Sequence, residues 1–200
     1  MSDENLLKVI LLGEIMVGKT NLMNILTGGK FNENETATSS STSAMKDLLV
    51  KGDKYTIQIW DTIGQEKLRN LTKLFYNNSK IVIFVYDITR KETFEEIKNY
   101  WVKDVEEKLG KNIIKGIVAN KIDLFLNEQV TQEEGEEYAE SIDALFITTS
   151  AKTEGPAKFE DFLIKLYEKY LSGNKEKNNN KSVILRKKKN VHNNKKRECC

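Results

Sequence analysis

Cysteine, proline and histidine are all scarce in this chain. Among 200 residues there are two cysteines, one proline and one histidine. Both thiols sit on the last residues, Cys199 and Cys200, where they cannot staple a fold. With His192 as the sole imidazole, they do not make up a four-ligand zinc site either. The same scarcity leaves no general-base histidine, and no carboxylate pair stands where it would support hydrolysis of another kind. Long apolar runs are also missing. Leu6–Leu12 is short and interrupted by Lys8, which suits a buried strand rather than a membrane span or a secretion signal. The expectation is a chain that stays in the cytosol, where disulfides are rare.

What is present is enough for one domain with a proper core. The net charge of +2 conceals an asymmetry. Gly173–Cys200 holds ten Lys/Arg and two Asp/Glu, a net of +8, so residues 1–172 carry 22 against 28, a net of −6. An acidic body, residues 1–171, is followed by a tail, residues 172–200, rich in Gly, Asn and Lys and expected to be disordered.

The most informative stretch is Gly13-Glu14-Ile15-Met16-Val17-Gly18-Lys19-Thr20. Two glycines flank four residues, then come lysine and a hydroxyl, the pattern of a phosphate-cradling loop. Glycines let backbone N–H groups close on an anion, and a helix starting here aims its positive end at the same charge. Gly13, Met16, Val17, Gly18, Lys19, Thr20 and Asn21 are the candidate phosphate-binding residues. Lys19 reaches the outer phosphates, and the Thr20 hydroxyl suits Mg²⁺. The bland alternative is a strand-to-helix turn that binds nothing. At ordinary glycine usage the pattern arises by chance in about one chain in a hundred, and here an apolar run precedes it and a helical pattern follows.

Along the chain, a short helix with Leu22, Ile25 and Leu26 stops at Gly28-Gly29, and polar residues from Phe31 to Ser43 read as a long loop. Met45–Val50 and Tyr55–Trp60 form a hairpin around Lys51–Lys54. Leu68, Leu71, Leu74 and Phe75 recur at helical spacing, Ile81–Tyr86 is a buried strand, and Phe94, Ile97, Trp101, Val105 and Leu109 line a longer helix. Ile113–Ala119 and Leu145–Thr149 are further strands. Between them Thr131–Ile142 is a helix, with Thr131 and Glu134 in capping-box spacing. Pro156 opens the last helix, whose inner face is Phe159, Phe162, Leu163, Leu166 and Tyr170. Strands alternating with helices give an α/β fold: a doubly wound, mainly parallel sheet with helices on both faces. Such sheets bind ligands beyond the carboxyl ends of their strands, and every candidate motif falls at one of those ends.

Asp61 closes one strand as a metal-holding acid would, Gly64 offers a bare N–H to a γ-phosphate, and Gln65 can orient an attacking water. Asn120-Lys121-Ile122-Asp123 selects the nucleotide. A carboxylate only accepts hydrogen bonds, guanine offers Asp123 two adjacent donors, and adenine places an acceptor there. Asn120 binds the purine and braces nearby loops, the Lys121 stem covers the ring, and Ser150-Ala151-Lys152 reaches the guanine oxygen.

GEIMVGKT, WDTIGQE, NKID and TSAK, in this order, resemble the Ras superfamily of small GTPases. IQIWDTIGQE, KLRNLT, FVYDIT and the terminal Cys-Cys are similar to segments of its Rab family. The resemblance implies a Mg²⁺-dependent GTP/GDP switch in vesicle traffic, with Gln65 and Lys19 as catalytic elements and Thr20, Thr38 and Asp61 at the metal. By spacing, Phe31 flanks the base and Thr38 is the first-switch threonine, with Thr36 and Thr42 as alternatives. Implied partners are an exchange factor, an activating protein, a dissociation inhibitor or escort protein, and effectors. In that family the two terminal cysteines are geranylgeranylated. With the basic clusters Arg186–Lys189 and Lys195–Arg197, Cys199 and Cys200 would then hold the protein reversibly on the cytosolic face of a membrane. No nucleic-acid partner is expected. Val183-Ile184-Leu185 is one small apolar island in the tail.

Departures from the family pattern bear on rate. Ser39–Ser43 replaces an apolar first switch, Ile63 stands where alanine is usual, and Ile15 and Met16 take positions of small residues. A guanine-nucleotide scaffold that barely hydrolyses is the alternative these suggest. Single-turnover GTP hydrolysis of an Ile63→Ala variant checks the crowding argument. Faster turnover than wild type is expected, and equal rates would remove crowding by Ile63 as a brake.

Overall fold

A computed structural model of the chain describes residues 6–35, 41–62 and 75–173. Six strands, β1 (Leu6–Leu12), β2 (Thr42–Val50), β3 (Asp53–Asp61), β4 (Ser79–Asp87), β5 (Ile114–Asn120) and β6 (Ala144–Thr149), form one sheet. Its order is β2-β3-β1-β4-β5-β6. Only the β2–β3 pair is antiparallel; the other four neighbours run parallel.

Side chains alternate across a strand, and the core divides accordingly. Val9 and Leu11 of β1, with Ile81, Ile83 and Val85 of β4, join one cluster. Ile10 and Leu12, with Val82, Phe84 and Tyr86, join the other. The first cluster is closed by Leu22, Ile25 and Leu26 of the Lys19–Leu26 helix and by Phe159, Phe162, Leu163 and Leu166 of the last helix, residues 157–173. The second is closed by Phe94, Ile97, Trp101 and Val105, from the helical run Lys91–Glu96, Ile97–Trp101 and Val102–Leu109, and by Ala139. The middle segment of that run is a π-helical turn. Apolar residues on both strand faces are what a parallel sheet covered on two sides requires.

The helix Gln132–Ser141 has the expected capping box. Glu134 N–H donates to the Thr131 hydroxyl, and the Glu134 carboxylate accepts from the Thr131 N–H. Pro156 immediately precedes the last helix. The described part of that helix reaches residue 173.

Three boundaries differ from the sequence reading. β2 begins at Thr42 rather than Met45, and pairs Thr42 with Asp61 and Ser43 with Trp60. Its outer half is exposed, so no apolar alternation announced it, and pairing with β3 supplies what its side chains do not. The hairpin turn is the pair Lys51-Gly52, not four residues. Both have positive φ, 53° and 89°, the requirement of a two-residue turn between right-twisted strands. A 3₁₀ segment, Ile122–Asn127, follows β5 where no element was expected. The helical spacing of Leu68, Leu71 and Leu74 lies outside the described residues.

β1 is central, with β3 on one side and β4 on the other. The chain leaves it toward β2 and β3 first and toward β4 afterwards. The connections therefore diverge at the end of β1, which opens a crevice above the carboxyl ends of the strands.

Candidate functional site

Gly13 to Gly18 fills the turn from β1 into the first helix, and its glycines are dictated by neighbours. At Gly13, with φ 144°, a Cβ would lie 2.1 Å from the Val85 carbonyl oxygen. At Gly18, with φ 98°, it would lie 2.3 Å from the Asn120 amide nitrogen. Met16 between them holds φ 64°, a left-handed conformation unusual for a side-chain-bearing residue. Lys19 turns back under this loop, donating to the carbonyls of Gly13 (2.8 Å) and Glu14 (2.9 Å). Burial lowers its ammonium pKa to about 8, against the raising influence of the Asp61 and Glu14 carboxylates.

Asp61, fully buried at the end of β3, accepts a 2.6 Å hydrogen bond from the Thr20 hydroxyl on Oδ2. Its Oδ1 is buried with no hydrogen-bond partner among the described residues. Burial raises the Asp61 pKa, with the Thr20 bond and Lys19 pulling the other way. An orphaned carboxylate oxygen beside a hydroxyl is a pair of hard donors matched to a small divalent cation. Thr62 fixes the strand end by donating to the Leu11 carbonyl at 2.6 Å.

Asn120, at the end of β5, donates to the Val17 carbonyl (2.8 Å) and accepts from the Ala151 N–H (3.3 Å). One buried amide thus links the glycine loop to the loop after β6. Ser150 donates to the Asp123 carboxylate at 2.5 Å and accepts from the N–H groups of Lys152 and Thr153. Lys121, at φ 68°, pairs with Asp87 at 2.7 Å.

These residues surround a cavity of about 230 Å³. Gly18, Lys19, Thr20, Asn120, Lys121 and Asp123 line it. Met16, Asn21, Phe31, Ala151 and Lys152 line it as well, whereas Gly13, Val17 and Ser150 stand behind the wall. Asn21 spends its amide on the backbone of Asn32, donating at 3.0 Å and accepting at 2.8 Å, which sets the entry of the Phe31 loop. Lys152 closes the rim, 5.9 Å from the Phe31 ring centroid and 2.9 Å from the Glu33 carboxylate. Ile15 and Met16 also line the cavity. Thr38, Thr36, Gly64, Gln65, Cys199 and Cys200 lie outside the described residues, and Thr42 is the first residue of β2.

Sequence reasoning missed a hub. Asp87, buried at the end of β4, accepts from Lys121 and from both the N–H and hydroxyl of Thr89. Arg90 approaches the same carboxylate at 3.4 Å and donates to the Ile15 carbonyl at 2.7 Å. Trp101 donates its indole N–H to Glu14 at 3.1 Å. The one available signal was an aspartate closing a solid apolar strand at the same sheet end as the other motifs. Among the described residues no group of three or more His, Cys, Asp or Glu side chains could hold a metal.

The Ras family model matches residues 8–172. Ras-related protein Rab-30 of Homo sapiens is 37% identical over 147 residues, 74% of this chain and 72% of that protein. The chain belongs to the Rab family of the Ras superfamily. Ras-related protein Rab-21 is 43% identical over 145 residues in both Canis lupus familiaris and Homo sapiens. The aligned part is 72% of this Rab-family chain and 65% and 64% of those two proteins, less than two thirds of their length.

The Asp87 hub gives a pH signature. Burial tends to raise its carboxyl, but hydrogen bonds from Lys121 and Thr89 outweigh that and hold it below the ordinary range. A depressed carboxyl stabilises the fold above the unfolded value, near about pH 4, and the contribution disappears as pH falls through the folded value. Asp87→Asn is expected to cost about 2 kcal/mol at pH 7 in urea unfolding. The gap from wild type should shrink steadily below about pH 4. A gap undiminished in acid would assign the loss to packing instead.

Proposed function

We propose that the chain is a GTP/GDP switch, a Rab-type small GTPase that hydrolyses GTP to GDP and phosphate and acts in vesicle traffic. One observation carries this reading: Lys19, Thr20, Asn120 and Asp123 line one cavity at the strands' carboxyl ends, with Asp61 buried behind Thr20 and hydrogen-bonded to it. The glycine loop presents backbone N–H groups to the phosphates, with Lys19 already folded beneath them. Asp123, held by Ser150, accepts from the guanine edge, and Phe31 and the Lys121 stem flank the ring. Thr20 and Asp61 are the residues that would hold Mg²⁺, with Thr38 as a further ligand by spacing. A divalent ion held by them would supply positive charge against the charge that develops on the phosphate oxygens. Gln65 orients the attacking water, Gly64 donates its N–H to the γ-phosphate, and an activating partner supplies further positive charge.

The family membership supports regulation by exchange, activating and escort proteins and attachment of the tail to a cytosolic membrane face through Cys199 and Cys200. Among the described residues no helix is long and apolar enough to cross a membrane. In this reading, anchoring rests on lipid at the thiols together with the basic tail. Fractionation tests it: a chain ending at Glu198 should leave the membrane pellet, and full retention would rule the thiols out as the anchor.

Calorimetry with GDP, GTP and ATP tests base choice directly. Guanine nucleotides are expected to bind and ATP not. Asp123→Asn should weaken GDP by about tenfold to a hundredfold, the worth of charge-assisted hydrogen bonds. Equal affinity for ATP would overturn the reading.

A further inference from the structure

Three large apolar side chains stand exposed in succession on the 3₁₀ segment after β5. Leu124 is 41% exposed, Phe125 65% and Leu126 86%. Scattered apolar residues on a surface need no explanation, but a contiguous set does. Beneath Phe125 lies a second cavity, about 160 Å³, walled by Tyr86, Ile88, Ile122 and Val130, with Glu128 and Gln132 at its edge. It is separate from the nucleotide cavity, and no step of the switch uses it. Tyr86 is fully buried, yet its hydroxyl has no hydrogen-bond partner among the described residues. That hydroxyl points at Gly135, where an added Cβ would come within 2.6 Å of it. The cavity wall is mixed, with Glu128, Gln132 and Thr148 among the apolar side chains.

The cavity opens beside the helix Gln132–Ser141. Glu133, Glu134, Glu136, Glu137 and Glu140 on this helix are all exposed, and no Lys or Arg shares it. Its far end lies against the end of the last helix, where Lys169 donates to the Asp143 carbonyl (2.7 Å) and carboxylate (2.6 Å). The last described residue, Gly173, is one turn beyond Lys169 on the same helix, and the basic tail follows it in sequence.

We propose that the chain's own segment Val183–Lys189 docks here, its Val183-Ile184-Leu185 island on Leu124, Phe125 and Leu126 and its Arg186–Lys189 cluster along the acidic helix. Chemistry and reach both select this occupant. The tail is the strongly basic part of the chain, and its one apolar island directly precedes a run of four basic residues. Nine residues lie between Gly173 and Val183, and these ten Cα steps span up to about 35 Å when extended. The ten-residue acidic helix is only about 15 Å long. Held this way, the tail's charge faces the protein's own carboxylates instead of an anionic bilayer. Leu124 belongs both to this patch and to the wall of the nucleotide cavity, so the docked segment lies beside the base site.

The test uses the full chain without lipid, with Cys199→Ser, Cys200→Ser and Asn190→Cys carrying a nitroxide. In an isotope-labelled sample, amide signals of Leu124–Leu126 and Gln132–Ser141 should lose most of their intensity. Those of Leu49, on the opposite edge strand, should keep theirs. The effect should vanish in about 0.5 M salt, where the screening length falls to about 4 Å. It should also vanish in Glu133→Lys/Glu136→Lys/Glu137→Lys and in Val183→Ser/Ile184→Ser/Leu185→Ser, both confined to exposed or tail positions. Broadening that is absent, or equal on both sheet edges, overturns the proposal. So does broadening that arises between separate spin-labelled and isotope-labelled copies, which would make a second molecule the occupant.

Discussion

The nucleotide site depends on one buried side chain, the amide of Asn120. It stands at the end of a central strand, donates to Val17 in the glycine loop and accepts from Ala151 in the loop after β6. Its nitrogen lies where a Cβ on residue 18 would go, so the glycine in that loop is required by the asparagine as much as by any phosphate. Both groups are removed from water, and leaving either unpaired would cost more than the bond itself contributes. Two loops distant in sequence are therefore held in register before any ligand arrives.

Asp87 does the equivalent for charge. A buried carboxylate needs compensation, and here Lys121 and Arg90 supply it from two directions. Each cation also has a place in the site. Lys121 forms part of the cavity wall, and Arg90 grips the Ile15 carbonyl of the glycine loop. The counter-ion that neutralises one acid thus fixes the backbone on which another anion would sit. Binding to a site already braced in this way forfeits less conformational entropy than assembling it on contact. On the other side of the phosphate loop the balance is deliberately incomplete. Lys19 is buried with its ammonium pKa lowered by that burial, and Asp61 retains an oxygen without a partner among the described residues. Both are arrangements that a phosphate and a cation would satisfy together.

Much of the fold was legible because parallel strands buried on two faces read as solid apolar runs, as β1, β4 and β5 do. The cap of the helix at Thr131 was legible because both partners lie within four residues. The edge strand β2 was less so: its first residues are Thr42 and Ser43, exposed and polar, and only the pairing with β3 makes them a strand. The contact from Arg90 to Ile15 spans 75 residues, and nothing local in either segment announces it. The same holds for the apolar surface of Leu124–Leu126, since a Leu-Phe-Leu triplet reads as core until the fold leaves it outside.

The amino-acid order alone is sufficient for the alternation of strands and helices, for the phosphate-loop pattern and for proposing guanine as the base. Those are short-range chemistry: residue types at fixed spacing, whose donors and acceptors can be counted without coordinates. Folding alone decided which of these groups are buried, which buried group keeps an unpaired atom, and which motifs share a wall. Exposure and pairing belong to surfaces made of several segments at once, so no single segment carries them. In the order of residues Asn120 is one polar side chain at the end of a strand. In the folded chain it is the point where the glycine loop and the loop after β6 meet.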